Sequence, residues 1–324
     1  MLNNIIIFLS IAFTTFIFGK CYIFLWSKIK ELNSTPSGFG VILPLILIII
    51  SIIKSDLFIF PISSVFIIFL AGLIYLIDDF KGLHHWIRIS IAFIFGALLF
   101  FVEVQNVSFS NVIIICLVIL FGVISVGLTN MMNFYDGADL NIASIILLAG
   151  IILFYYPVID GQTYKNIGIV FCSFSIGFGV FNRKPNSLYL GDAGSFVIAL
   201  FFLYFLISFF ISKNVPVELI TVLALPLFDV FYVMLIRLYY KHDMLSRNYL
   251  HLYQRIDILY GGFFHIVPQL TNVLAIISLS RLINIFLMDK TYSLLLAGFI
   301  FTPIFYLICR YLFIERSYFF GDGK

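Results

Sequence analysis

Charge is scarce in this chain: Asp, Glu, Lys and Arg together make up 11% of its 324 residues. A soluble domain needs roughly a quarter of its residues charged to cover its surface, so a water-soluble globular fold is excluded. Cysteine is scarce too, with four in all (Cys21, Cys116, Cys172, Cys309). Each lies in an apolar stretch at no metal-like spacing, which argues against a disulfide framework and reads as small buried hydrophobes. Long polar stretches are missing as well, so no separate soluble domain is expected within residues 1–324. The net charge of +3 is too small to point to nucleic acid or another acidic partner.

What the chain does have is apolar length. Hydrophobic residues make up 62% of it, with 40 Phe among them. Runs long enough to cross a bilayer fall at 5–26, 39–53, 57–77, 86–102, 112–131, 140–159, 166–181, 194–212, 216–239, 262–288 and 292–314, the second of them short. In lipid such runs must be helices, because a single segment can satisfy its own backbone in no other way. The expected fold is therefore all-α, a single polytopic unit over 1–324 with about 11 transmembrane helices. The stretch from Ile5 to Trp26 is too long for a signal-peptide core and lacks a small-residue cleavage site, so it reads as a retained first helix.

The Lys and Arg residues set the orientation. One set of alternate loops carries thirteen: Lys28, Lys30, Lys81, Arg88, Arg183, Lys184, Arg237, Lys241, Arg247, Arg255, Arg310, Arg316 and Lys324. The opposite set carries four: Lys54, Lys165, Lys213 and Lys290. By the positive-inside rule the first set is cytoplasmic and the N-terminus is outside. Most carboxylates lie on that same side: Asp78 and Asp79, Asp136 and Asp139, Asp192, and Asp243 and Asp257. Helix-end loops converging on one face can build one polar site there.

Four segments carry candidate chemistry. The third run ends in Asp78-Asp79, two adjacent carboxylates that repel each other and need solvation or a cation; a solvated helix end explains the pair as well. The fifth ends in Asn130-Met-Met-Asn133-Phe-Tyr-Asp136-Gly137-Ala-Asp139, an oxygen density suited to a hard cation such as Mg²⁺, although an Asx turn uses the same residues. Before the eighth run stands Gly191-Asp192-Ala-Gly194-Ser195. A phosphate at that helix start would meet free N–H groups, with Asp192 beside it for a metal; a turn and N-cap is the plainer reading. The loop after the ninth run contains Arg247, His251, Gln254 and Arg255, a cluster suited to phosphate. Positive-inside charge explains its Lys and Arg but not His251 or Gln254. Pro226 and Asp229 interrupt the ninth run, and a carboxylate within a span is a functional candidate. His84, His85 and His265 read as ordinary interfacial or buried residues.

Together these segments resemble the polyprenyl-phosphate N-acetylhexosamine-1-phosphate transferase family (glycosyltransferase family 4). Asp78-Asp79 looks like its Asp-Asp pair, and Arg88 falls where it has a basic residue. Asn130, Asn133, Asp136, Gly137 and Asp139 match its Asn-x-x-Asn-x-x-Asp-Gly-x-Asp loop. Gly191-Asp192-Ala-Gly194-Ser195 matches its Gly-Asp-x-Gly-Ser motif, and Pro226 with Asp229 its Pro-Leu-x-Asp span. Two departures stand out: Leu140-Asn141 follows Asp139 where the family usually has Gly, and the His-rich element is reduced to His251-Leu-Tyr-Gln254-Arg255. The second resembles the branch that initiates O-antigen or capsule repeats.

The resemblance implies transfer of a sugar-1-phosphate from a UDP-N-acetyl sugar to polyprenyl phosphate, at the cytoplasmic face of a bacterial inner membrane. It implies Mg²⁺ (or Mn²⁺) on Asp192 and Asn133. Asp78 and Asp79 would organise the acceptor phosphate or act as base, and Arg88, Asp136, Asp139, Arg247, His251, Gln254 and Arg255 would contact substrate. It also admits a homodimer. Two rivals remain: a secondary transporter, which places its polar groups near the bilayer midplane rather than on one face, and another lipid-phosphate transferase. The charge count gives a first test. Single cysteines placed beside Asp78, Asp136, Asp192 and His251, in a chain freed of its native cysteines, should all escape a membrane-impermeant reagent applied to intact cells. Labelling of even one with the rest protected would break the common site.

Overall fold

A computed structural model describes residues 2–29, 35–53, 61–155, 161–183, 188–212, 215–242, 249–287 and 289–315. These residues form helices and short connections, with no strand among them. The chain divides into two compact units, Met1–Pro216 and Val217–Lys324. The first holds α1 (Leu2–Ile29), α2 (Ile42–Ile53), α3 (Ile62–Lys81), α4 (His85–Glu103), α5 (Asn111–Tyr135), α6 (Asn141–Tyr155), α7 (Gly161–Gly179) and α8 (Gly191–Ser212). The second holds α9 (Thr221–Tyr239), α10 (Leu252–Tyr260), α11 (Val267–Leu287) and α12 (Lys290–Arg310).

Among the described residues each apolar run anticipated from the sequence carries a helix, while 57–60, 156–159 and 288 of those runs lie outside them. Eight helices among the described residues are long and apolar enough to cross a membrane, against the eleven expected. The runs at 39–53 and 140–159 carry shorter apolar helices, Phe39–Ile53 and Asn141–Tyr155, and α7 carries the run at 166–181. The protein is thus a polytopic all-α membrane protein.

Helix α8 is the centre of the first unit. Its first turn is polar, but from Phe196 to Leu203 nearly every side chain is buried, whichever way it points. A helix apolar all round belongs in a core rather than on a surface, and α8 lies against α3, α4 and α5. By contrast α1 exposes Ile6, Leu9, Phe13 and Phe24, as a lipid-facing helix does, because lipid gives no reason to hide them. The four cysteines are free. Cys309 is buried as expected and Cys172 half-buried, but Cys21 and Cys116 sit on exposed helix faces, which corrects the buried reading for those two.

In the second unit Pro226 lies inside α9. Proline has no N–H, so the carbonyl four residues back loses its helical partner. That carbonyl is Val222, and the buried side chain of Gln269 on α11 donates to it from Nε2 at 2.6 Å. The side-chain amide stands in for the missing backbone donor and ties α11 to the break. Replacing Gln269 with Leu should therefore cost about 1–3 kcal/mol, the penalty for stranding a buried acceptor. Thermal or denaturant unfolding of the detergent-solubilised protein would read it. In a Pro226→Ala background, where the helix regains its own N–H, the same change should cost little; an equal cost in both backgrounds would refute the account.

Candidate active site

Three helix ends of the first unit meet at the polar start of α8. Asp78 and Asp79 close α3, whose last turn stops at Gly82 with φ 69°. Asn133 lies in the last turn of α5 and Asp136 caps that helix. Asp192 is the second residue of α8, and Arg88 comes from the first turn of α4. Residues up to 114 positions apart in the chain are thus brought to one place.

Asp79 makes the central link. Its two oxygens accept the backbone N–H groups of Asp192 at 3.1 Å and Ala193 at 3.0 Å, and it also bonds the Ser37 side chain. The Asp136 Oδ2 accepts the Gly191 N–H at 2.9 Å, and the Gly194 N–H returns to the Leu190 carbonyl. The free N–H groups expected at this helix start for a phosphate are therefore taken, two of the three by Asp79 and one by Asp136. That corrects the expectation: carboxylates from two other motifs already satisfy these donors, as an N-terminal cap would.

Asp78 does something different. Its side chain is fully buried, accepts the Leu83 N–H at 2.5 Å and pairs with Arg88 Nε at 2.6 Å. Arg88 reaches onward to Asp192 Oδ2 at 3.1 Å, while Asn133 Nδ2 donates to Asp192 Oδ1. Arg88 and Asp192 are the open members, with side chains 37% and 22% exposed. The second oxygen of Asp136, Oδ1, is shut away without a hydrogen-bond partner. Burial pushes the Asp136 carboxyl well above the usual range; the charges of Asp79 and Asp192 add to this, and the Gly191 N–H opposes it.

Of these four carboxylates, Asp78 and Asp192 pair with Arg88. Among the described residues no three His, Cys, Asp or Glu side chains are grouped as a metal cage. Mg²⁺ needs no such cage, since it takes one or two carboxylates and completes its shell with water and substrate phosphates. The hard oxygens present, Asp192, the Asn133 amide once turned to offer its oxygen, and the unpartnered Asp136 Oδ1, fit such an ion.

The remaining candidates fall elsewhere. Asp139 is half-buried in the turn after Asp136. Arg247 lies outside the described residues, and His251, Gln254 and Arg255 belong to the second unit, where His251 is buried at the head of α10 and the other two are half-buried. His84 and His85 are exposed, and His265 is buried with Asp257 at 3.5 Å.

The sequence reading missed one whole wall of the site. The turn Ser37-Gly38-Phe39-Gly40 presses against the start of α8: Tyr189 N–H bonds the Pro36 carbonyl and the Tyr22 hydroxyl bonds the Ser37 carbonyl at 2.5 Å. Its signal was a pair of glycines behind a proline. A Cβ at Gly40 would strike the Gly194 backbone, and one at Gly191 would strike the Gly38 nitrogen and the Asp79 carboxylate.

The arrangement defines a class first: a polytopic helical membrane protein whose helix ends gather a carboxylate-rich site. The chain is similar to glycosyl transferase family 4, whose pattern residues 58–210 match, a stretch that holds every member of the site just described except the Ser37 turn. It is also similar to the phospho-N-acetylmuramoyl-pentapeptide-transferase of Streptococcus thermophilus (strain CNRZ 1066), 29% identical over 148 residues, which is 40% of this chain and 43% of the relative. The protein of the same name from Streptococcus suis (strain 05ZYH33) is 27% identical over 188 residues, 51% and 56% of the two chains. The match therefore spans about half the length of these relatives.

Gly191 offers a direct test of the clamp. Its φ of 74° costs a residue with a Cβ about 1–2 kcal/mol by itself, and the added methyl would also displace Asp79. Gly191→Ala should lower turnover far more than it lowers the unfolding temperature, measured on the same preparation. Full turnover would refute the tight fit.

Proposed function

We propose that this protein transfers an N-acetylhexosamine-1-phosphate from a UDP-sugar to polyprenyl phosphate on the cytoplasmic side of the membrane. An oxygen of the lipid phosphate attacks the phosphorus that bears the sugar. A new P–O bond forms there, the P–O bond to UMP breaks, and a lipid diphospho-sugar remains. The observation that carries this reading is Arg88 held between Asp78 and Asp192 while Asp79 grips the backbone of Asp192 and Ala193, inside a family-4 match.

Phosphoryl transfer of this kind is mostly positioning and charge neutralisation. A phosphomonoester has its second pKa near 6, so the acceptor is largely ionised at neutral pH and needs no strong base. On that ground Asp78 and Asp79 act as positioning residues. Asp78 fixes Arg88 beside Asp192, where the guanidinium can meet phosphate oxygens, and Asp79 fixes the loop that carries Asp192. Asp136 locks Gly191 in the same loop. When bound at Asp192 and Asn133, Mg²⁺ (or Mn²⁺) supplies the charge that neutralises the diphosphate. Asp139, Arg247, His251, Gln254 and Arg255 are assigned to the donor by resemblance.

Two donor readings remain distinct. The reduced His251-Leu-Tyr-Gln254-Arg255 element favours a compact UDP-N-acetylhexosamine, including 6-deoxy sugars, and the initiation of a surface polysaccharide such as O-antigen. The names of the streptococcal relatives favour the muramoyl-pentapeptide donor. A pocket rejects a bulky donor by clash, whereas sensing one hydroxyl takes a specific hydrogen bond.

Membranes holding the protein, given Mg²⁺, polyprenyl phosphate and a panel of UDP-sugars, should release UMP with the compact donors and not with UDP-N-acetylmuramoyl-pentapeptide. Excess chelator should stop the reaction, and Asp192→Ala should abolish it at an unchanged protein level. Turnover in chelator would remove the metal, and robust use of the pentapeptide donor would reverse the choice between the two readings.

A further inference from the structure

Behind the charged triad of Asp78, Arg88 and Asp192 lies an aromatic triad built from the same three helices of the first unit. Tyr75 stands three residues before Asp78 on α3, Phe95 seven after Arg88 on α4, and Phe196 four after Asp192 on α8. Those spacings return each helix to one face. Each ring is farther from its helix end than the charge it accompanies.

The Tyr75 and Phe196 rings stack with centroids 4.1 Å apart and planes 17° apart. Phe95 meets Phe196 edge-on, at 6.4 Å and 87°. Tyr75 and Phe196 are buried. Stacked and edge-to-face pairs are the arrangements that aromatic rings favour, so Phe196 seats α8 against α3 and α4 close to where their charges meet.

Tyr75 belongs to both layers. Its ring packs with Phe196, while its hydroxyl donates to the backbone carbonyl of Arg88 at 2.6 Å. One turn on, Asp78 takes the Nε of that arginine at 2.6 Å. One face of α3 thus grips Arg88 at two points, by its backbone and by its side chain. In a regular helix the Arg88 carbonyl also receives the N–H four residues on. The Tyr75 bond is therefore additional to the helix's own, and it ties the first turn of α4 sideways to α3.

We propose that Tyr75 is a positioning residue that fixes Arg88 between Asp78 and Asp192. An arginine side chain carries much rotamer freedom, and the Asp78 contact by itself leaves the first turn of α4 free to shift. With its carbonyl held, Arg88 reaches Asp192 at 3.1 Å from a fixed base. The proposal deepens the function proposed above. It rests on that reading of Arg88, the partly exposed partner of the two aspartates, as a contact for substrate phosphate.

Tyr75→Phe removes the hydroxyl and keeps the stacked ring, so a residue that only packs would tolerate it in both measurements that follow. As a positioning residue Tyr75 predicts a fall in kcat/KM for UMP release of about 3- to 10-fold, the worth of one hydrogen bond, at an unchanged protein level. In an Arg88→Lys background no fork spans the two aspartates, and the same change should cost less than about twofold. Equal losses in both backgrounds mean a general structural role and overturn the proposal.

The second measurement is independent of turnover. In full-length protein carrying ¹⁵N-arginine, in detergent, the Nε–H of Arg88 lies against the fully buried Asp78 and should exchange slowly with water. Its disappearance in Arg88→Lys assigns the signal. Faster exchange in Tyr75→Phe is the expected result, and an unchanged shift and exchange rate overturns the proposal. If the signal changes as expected while UMP release is undiminished, the positioning stands and the part given to Arg88 in the transfer falls.

Discussion

Two backbone N–H groups at the start of α8 point at the carboxylate of Asp79, and the first unit's site hangs from that contact. A helix start leaves its first donors without intrahelical partners, and here those donors are spent on a side chain from another transmembrane helix. The arrangement fixes Asp192 relative to α3, and through Arg88 relative to α4. It also works only because Gly191 takes a positive φ and the Gly38–Gly40 turn comes in without side chains. A site of this kind is rigid by construction, which suits a reaction whose catalysis consists of holding charged groups in register.

The same contact leaves the site short of positive charge. Asp78, Asp79, Asp136 and Asp192 gather around one arginine, and Asp136 keeps an oxygen buried without a donor. Like charges held this close raise one another's cost of ionisation. In the proposed reaction that imbalance would suit a bound cation, and the partly exposed Arg88 would meet the anionic part of the substrate. The combination is what a diphosphate and its divalent counter-ion present together.

The second unit solves a related problem in a drier place. Asp229 is compensated by the Tyr306 hydroxyl, the Leu252 N–H and His251 rather than by a simple ion pair, with Arg310 one layer behind. Buried charges gain little net stability from such networks but define geometry sharply, and removing any one partner strands the rest. A few residues away Pro226 frees a carbonyl that Gln269 recovers. Both devices let polar groups stand inside membrane helices by giving each a partner from another helix.

The class, the helices and the grouping of carboxylates at helix ends were legible in the sequence. Bilayer thickness fixes helix length and lipid fixes hydrophobicity, so apolar runs read off directly, and Asp78, Asp79, Asp136 and Asp192 stood at the ends of those runs. The count of spans was less legible, because short apolar helices such as Phe39–Ile53 satisfy the composition rule without the length. Roles inside the site were not legible at all. That Asp79 takes backbone N–H groups while its neighbour Asp78 takes Arg88 depends on which way two adjacent side chains leave one helix and on what α8 and α4 present there. The Ser37 turn was invisible because much of its contribution is the missing side chains of Gly38 and Gly40, Tyr306 because its partner Asp229 lies 77 residues away along the chain, and Arg310 because Leu250 lies 60 away. Local pattern determines which elements form, since the bilayer acts on each segment separately. Only the packing of several helices decides which polar group meets which, because those contacts join residues that share no local pattern.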